Sequence, residues 1–585
     1  MLHFLLLPDI LKTLWSERIA LFWPIWIAIT ASSVVLVIWF VPQGESIRLE
    51  SIRSRQHDWS RAAVLAVVFL ALFLACYIAG SLVWEDFAYR DNSMFTLGTL
   101  AGHDFARAIY PSQGRFFPLG NQEFNSLRHV TRSVTGYHAL RIVEIVLLSG
   151  ILLVLDEQLS IRVRVALVTL TLITPSILIS FSGLIYPEAN VLFWLVCVVW
   201  SVKRFEQTHF IPWAVAAVIS SQFMLYYKET AFLLLLGFAV GRLLLRCWRA
   251  DRSGWDFKRL RDPESRLDMC LTFLAVAYLL FYLAVMFPNY GARYADDWRF
   301  SPKRVFTSYV KLDLLAWVLV AVVLVRIVLI LRRRVAPALL WDALALAGMG
   351  CFAGYLSLRM FTAYYLAPVD LIAVLYLGRL AALSVKSMGL GTRLFALALL
   401  SVVLLQDFSL SAFRMYERKN LIHAKAEIGR VIKARYESNP QNAKRLFFPL
   451  SDPYTIMEFS AYLSYLGVPV EGVYAGSVAT GSIMIVGPSI KKDAPCVNYH
   501  AVECHPGSSP DPGDLIIVLP DDYLTTEELN SYQQEGMETL LSYQPHPQIP
   551  QWLRPYVHRL LVVSSEFPRS SLPDHWLSAS VIIAK

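Results

Sequence analysis

The chain has 585 residues, of which 56% are hydrophobic and 17% charged, with a net charge of +8 and a mean hydropathy of +0.48. An average soluble domain is roughly 25% charged, so this composition excludes a soluble globular enzyme and a disordered chain. The apolar excess is gathered in blocks of about 20 residues, the length that crosses a bilayer core. Because Lys and Arg crowd between those blocks, the positive charge belongs to membrane topology rather than to nucleic-acid binding.

Residues 1 to 15 are apolar but carry Pro8 and Asp9 and no basic leader, which predicts an uncleaved interfacial helix rather than a cleaved signal peptide. Blocks with spanning character follow at 20 to 41, 62 to 84, 136 to 155, 164 to 184, 188 to 202, 210 to 226, 230 to 248, 268 to 287, 312 to 331, 338 to 358, 365 to 384 and 393 to 412, about twelve in all. The stretch Arg242 to Arg266 holds Arg242, Arg246, Arg249, Arg252, Lys258, Arg259, Arg261 and Arg266, and Arg332-Arg333-Arg334 closes a second basic loop; both are expected in the cytoplasm. Alternation from these anchors puts Arg48, Arg53, Arg55 and Arg61 on the same side. It also makes 85 to 135 a long outer loop and places everything after about 413 outside.

In that tail, short apolar runs such as Leu446 to Leu450 and Asp514 to Leu519 alternate with helix-like stretches, including the capping box Thr525-x-x-Glu528, which predicts a soluble α/β domain. The expected fold is therefore a polytopic α-helical membrane protein in three parts. These are an interfacial helix and first span (1 to 61), a transmembrane domain (62 to 412) and an extracytoplasmic α/β domain (413 to 585). Cys76, Cys197, Cys247, Cys270 and Cys351 fall in or beside spans as small buried hydrophobes. Cys496 and Cys504 are disulfide candidates if the outer compartment is oxidising, whereas their spacing to His500 and His505 matches no common zinc motif. The outer segments carry no Asn-x-Ser/Thr acceptor, which favours a bacterial inner membrane.

The most informative segment is Trp84-Glu85-Asp86-Phe87-Ala88-Tyr89-Arg90-Asp91-Asn92, directly after the second block. Three carboxylates at the end of an apolar helix are costly unless solvated, paired or used. The loop runs on through His103, Asp104 and Gly114-Arg115-Phe116-Phe117-Pro118-Leu119-Gly120 to Asn121-Gln122-Glu123, long for a connector. Three further patches fall on the same side: Tyr186-Pro187-Glu188, Tyr226-Tyr227-Lys228-Glu229-Thr230, and Arg359 followed by Tyr364 and Tyr365. Lys228 and Glu229 read equally as a self-satisfied ion pair with the lysine snorkelling to the interface, and Arg359 as an interfacial anchor.

An acidic pair beyond an early span, a long first outer loop, many further spans and a carboxy-terminal outer domain together resemble the GT-C superfamily of polyprenyl-phosphate-sugar-dependent glycosyltransferases. That superfamily includes the aminoarabinose and protein O-mannosyl transferases. The resemblance covers roughly 62 to 412 as architecture. Glu85-Asp86-x-x-Tyr89 is similar to the Asp-Glu-x-x-Tyr form with the acids exchanged, and it implies Asp86 or Glu85 as general base, with Asp91 as a third candidate.

The chemistry that the resemblance implies is a transfer with inversion from a prenyl-phosphate donor to an envelope glycan or lipid acceptor. Lys228, Arg359 and Arg115 would neutralise the phosphate as the sugar leaves, and a carboxylate would take the acceptor's proton. Tyr89, Glu188, Glu229, Tyr364 and Tyr365 are the supporting residues. No Asp-x-Asp pattern occurs, which suits a lipid-linked donor; the sequence fixes no cofactor, and a divalent metal stays open because some relatives use one. Two other classes are open. A transporter or flippase of a lipid-linked saccharide predicts ionisable residues inside the spans. A non-catalytic scaffold predicts that Asp86, Glu85 and Asp91 are replaceable.

Overall fold

The computed structural model describes residues 22–41, 99–100, 108–110, 115–249, 254–285, 306, 309–310, 313–358, 363–384, 389–438, 446–448, 453–468, 473–475, 484–486, 489–491, 503–504, 512–520, 537–565 and 577–584. The expectations for residues 1 to 15, the 62 to 84 block, Arg48 to Arg61, the Thr525-x-x-Glu528 box, and Cys496, His500 and His505 lie outside the described residues. The side chain of Cys504 does as well.

An α-helix rises about 1.5 Å per residue, so about 20 apolar residues cross a hydrocarbon core of about 30 Å. In chain order the described elements begin with α1 (Phe22–Phe40), the hairpin β1 (Ala108–Tyr110) and β2 (Arg115–Phe117), and the short α2 (Gln122–Leu127). The bundle continues with α3 (Val134–Leu155), α4 (Ile161–Ile173), α5 (Pro175–Ser182), α6 (Glu188–Thr208), α7 (Ile211–Tyr227) and α8 (Ala231–Cys247). A short pair of strands, β3 (Trp248–Arg249) and β4 (Gly254–Trp255), leads to α9 (Pro263–Val285), α10 (Leu314–Leu331), α11 (Leu339–Ser357) and α12 (Ala367–Ser384).

The protein is mostly helical, and among the described residues five helices are long and apolar enough to cross a membrane. They are α3, α9, α10, α11 and the stretch Ala363–Ser384, which contains α12. The block expected at 164 to 184 is a bent pair, α4 and α5, with 67° between the two helices, and counting it as one span makes six. The cause of the bend is local: Pro175 brings no N–H and disfavours a helical backbone at Thr174, which is extended at ψ 131°. Of the remaining expected blocks, α7 and α8 are 17 residues each.

Helix packing follows the small residues. Gly237 and Gly241, one turn apart on α8, face Ala347 and Ala343 on α11, and a Cβ on Gly237 would come within 2.8 Å of the Ala347 Cα. Backbones approach this closely only through such small-residue stripes. At the end of the bundle where α6 and α8 finish, Arg242 Nε donates to Asp268 Oδ1 at 2.7 Å and its Nη2 to Glu206 Oε1 at 2.8 Å, while Arg246 also donates to Glu206. Arg242 and Arg246, expected as loop cations, are thus α8 residues matched by carboxylates of α6 and α9. The helix runs on to Cys247 and carries them inward.

From α12 the chain enters α13 (Leu390–Ser438), 49 residues long, which crosses the boundary expected at 413 without a break. The tail holds β5 (Leu446–Phe448), α14 (Pro453–Tyr465), β6 (Val473–Ala475), the hairpin β7 (Met484–Val486) and β8 (Ser489–Lys491), β9 (Glu503–Cys504), β10 (Leu515–Val518), β11 (Met537–Tyr543), α15 (Arg554–Ser565) and β12 (Ala579–Ala584). The six-stranded sheet has the order β11-β12-β10-β5-β6-β9, with β10, β5, β6 and β9 parallel and β12 antiparallel to both β10 and β11. The runs read from sequence at 446 and 514 are the central strands β5 and β10, buried on a face shared with Phe459 and Leu463 of α14. Phe124, Val134, Tyr137 and Leu184 join that same core, so the tail packs on the 115 to 137 segment and the α5–α6 turn.

Asn420 ties α13 to the sheet. Its side-chain oxygen accepts from Tyr543 Oη at 2.9 Å and from the His546 N–H at 2.8 Å, and its amide donates to Tyr416 O. Truncation leaves two donors unmatched in a site where Asn420 is 1% exposed. Asn420→Ala should therefore lower stability by about 1–3 kcal/mol, read as an earlier thermal transition and faster proteolytic release of the tail from detergent-solubilised protein.

Candidate functional site

The site is built on one short loop. β2 carries Arg115 and Phe117, and the Leu119 N–H donates to the Tyr226 carbonyl at 3.1 Å, pinning the loop to the end of α7. Tyr278 of α9 donates to the Phe116 carbonyl at 3.0 Å, and the Phe116 ring packs against Tyr226, Tyr278 and Phe281. Arg115 is thereby held over the α7–α8 turn, where Lys228 and Glu229 lie.

There the pairing differs from the one expected between neighbours. Lys228 is extended (φ −155°, ψ 131°), and successive side chains on extended backbone point to opposite sides. Lys228 Nζ lies 3.0 Å from Glu188 Oε1 at the start of α6, whereas Glu229 Oε1 lies 3.1 Å from Arg115 Nε. All four side chains are nearly or wholly buried, at 1% to 10% exposure. Burial alone would lower both cations, but Glu229 lifts Arg115 and Glu188 lifts Lys228 above their ordinary values, with Tyr365 adding to both.

Aromatic faces close the cluster. The Arg115 guanidinium sits 4.7 Å from the Phe117 ring centroid, and Lys228 Nζ is 4.7 Å from that of Tyr365 and 5.7 Å from that of Phe117. Tyr364 and Tyr365 come from the single turn Ala363–Leu366 before α12. Tyr364 stacks on Tyr186, and Tyr365 stacks on Tyr355, whose hydroxyl meets Thr230 Oγ1 at 2.9 Å.

Of the residues singled out in the sequence, Arg115, Glu188, Lys228, Glu229, Tyr364 and Tyr365 thus meet in one place. Glu85, Asp86, Tyr89, Asp91 and Arg359 lie outside the described residues. No group of three His, Cys, Asp or Glu side chains among the described residues is arranged to hold a metal ion.

Two further groups of carboxylates carry no role in the sequence reading. Glu123 follows Asn121, whose left-handed backbone (φ 61°) turns the chain from the loop into α2. Its Oε1 accepts from Arg141 Nη2 and Asn190 Nδ2, both at 3.0 Å, and burial raises its carboxyl above the usual range. The second group lies among the helices: Asp313, the N-cap of α10, and Asp370, in the first turn of α12, are within side-chain hydrogen-bonding reach of each other, with Ser176 donating to Asp370 and Asp407 nearby. The one Asp in each of the largely apolar 365 to 384 and 393 to 412 blocks is the available signal.

Comparison with protein-family models, with curated proteins and with solved structures finds no match to this chain. The chemistry is accordingly argued from the site. Two adjacent cations over aromatic faces suit an anionic phosphoryl group, the guanidinium by two parallel N–H bonds and the ammonium as a point charge. Paired carboxylates in a water-poor setting suit hydroxyl donors.

Gly120 sets the position of Phe117 between the two cations, since a Cβ there would overlap the Phe117 ring. Gly120→Ala should cost about 1–3 kcal/mol through that overpacking, and Phe117→Leu should recover part of the loss. A double-mutant cycle on thermal unfolding checks this: equal costs of Gly120→Ala in the two backgrounds would place the strain elsewhere.

Proposed function

We propose that the protein is a GT-C-type glycosyltransferase that moves a sugar from a polyprenyl-phosphate donor to an envelope glycan or lipid on the extracytoplasmic face of a bacterial inner membrane. The observation that carries this reading is the meeting of Arg115, Lys228, Glu188 and Glu229 under Tyr364 and Tyr365, drawn from four separate stretches of sequence to the tail-bearing end of the helices. An anionic lipid phosphate held by Arg115 and Lys228 becomes a better leaving group as charge grows on its bridging oxygen. The acceptor hydroxyl loses its proton to a carboxylate as it attacks the anomeric carbon, and Asp86 or Glu85 holds that role by resemblance. Arg359 is assigned to the same phosphate, and the tail to acceptor binding.

The expected outcome with purified protein and a panel of polyprenyl-phosphate sugars is donor consumption by wild type. Lys228→Met should lose it by about 100-fold or more, the scale of removing one charge-stabilising donor. Asp86→Asn and Glu85→Gln, tested separately, should show a comparable loss in at least one. Turnover that survives both would remove the base assignment, and consumption of no donor would remove the enzyme.

The buried Asp313–Asp370 pair with Asp407 supports a second reading, a transporter of a lipid-linked saccharide, because ionisable groups among spanning helices are the mark of proton-coupled movement. On that reading Asp370→Asn abolishes saccharide movement across the bilayer of proteoliposomes. On the first reading the same variant retains donor consumption within about tenfold.

A further inference from the structure

Charge balance at the cluster goes further than the identity of its cations. Among the described residues, Arg115 and Lys228 bring two positive charges to the cluster and Glu188 and Glu229 two negative ones. Glu188 Oε2 and Glu229 Oε2 are fully buried and meet no hydrogen-bond donor among the described residues. Buried acceptors without donors are uncommon in native structures and cost free energy unless something fills the need. Here both point to a ligand that brings its own O–H groups.

We infer that Glu188 and Glu229 make this cluster select a sugar-bearing phosphodiester over a bare prenyl phosphate. The inference rests on the donor reading above and adds a specificity role for the two carboxylates. A prenyl-phosphate sugar is a diester and carries one negative charge, and its hydroxyls can donate to the two open carboxylate oxygens. A bare prenyl phosphate is a monoester that carries about −1.5 to −2 at pH 7, and it has no sugar hydroxyls to offer. In a low-dielectric setting the second charge is repelled by both carboxylates. The substrate is therefore held while the product of sugar transfer is expelled, which matters for a reaction whose product keeps the same lipid tail.

Three farnesyl probes separate the contributions: farnesyl phosphate, farnesyl methyl phosphate, and farnesyl-phosphoryl glucose. Their dissociation constants are measured on the full-length protein in nanodiscs. Wild type should bind the glucosyl diester tightest, the methyl diester less tightly, and the monoester weakest, at least about tenfold below the first. Glu188→Gln and Glu229→Gln should each tighten the monoester and narrow that gap to about threefold or less.

The wild-type order needs no variant, so a variant that fails to fold leaves the inference exposed to refutation. A monoester bound as tightly as the glucosyl diester by wild type overturns it, as does a gap that both Gln variants leave unchanged. If the glucosyl diester binds and the gap is absent, the selectivity alone falls; if none of the three probes binds, the donor reading falls with it.

Discussion

A charge buried in a protein stays charged only beside a partner, and at this site two such partnerships cross between separate elements. Arg115 reaches Glu229 and Lys228 reaches Glu188, so β2, the start of α6 and the α7–α8 turn are joined by charge as well as by packing. Removing one member strands the other in a low-dielectric setting, which costs about 3–5 kcal/mol in comparable pairs. That asymmetry makes the loop part of the helical body: the Leu119 bond to Tyr226 and the Tyr278 bond to Phe116 only place it, whereas the ion pairs penalise its departure.

The opposite end of the bundle offers a contrast in the same currency. Arg242 and Arg246 share Glu206, and Arg242 also holds Asp268, with Arg242 and Asp268 wholly buried. No stacked tyrosines border that network in the way that Tyr186, Tyr364, Tyr355 and Tyr365 border the Lys228 cluster among the described residues. There the Arg242 guanidinium lies 5.4 Å from the Phe238 ring centroid and Asp268 Oδ2 meets no hydrogen-bond donor among the described residues, so matched charge over one ring fastens α6, α8 and α9. Matched charge beside two stacked tyrosine pairs, with open oxygens on two separate carboxylates, is a way to receive a polar ligand.

How much of this the sequence disclosed depends on the range of the interaction. Apolar length is a local property, and α3, α9, α10, α11 and α12 stand where the blocks placed them. Turn chemistry is local too, yet Pro175 inside the 164 to 184 block was read through as one span, because hydropathy averages over a proline that the backbone does not. The cluster was half legible. Its residues stood out as polar turns, but their partners did not, because adjacency in sequence suggested Lys228 with Glu229, and extended backbone at Lys228 sends the two apart. Glu123 and Arg141 were harder still: their contact is fixed by the left-handed turn at Asn121, a conformational fact that composition does not carry.

The tail completes the arrangement from outside the bundle. Had the chain after 413 been a tethered domain, it would have its own core and a linker. Instead α13 runs straight into it, Ser411 donates to the Ile173 carbonyl at the α4–α5 bend, and Arg418 donates to Ser182. The sheet then shares one core with Phe124, Tyr137 and Leu184, and Leu184 also supplies the carbonyl that Arg141 holds at 2.7 Å. Arg141 in turn holds Glu123, which Asn190 bonds from the helix whose first residue, Glu188, pairs with Lys228. The tail is thus connected to the start of α6 through the Leu184 carbonyl, the Arg141–Glu123 ion pair and the Glu123–Asn190 hydrogen bond.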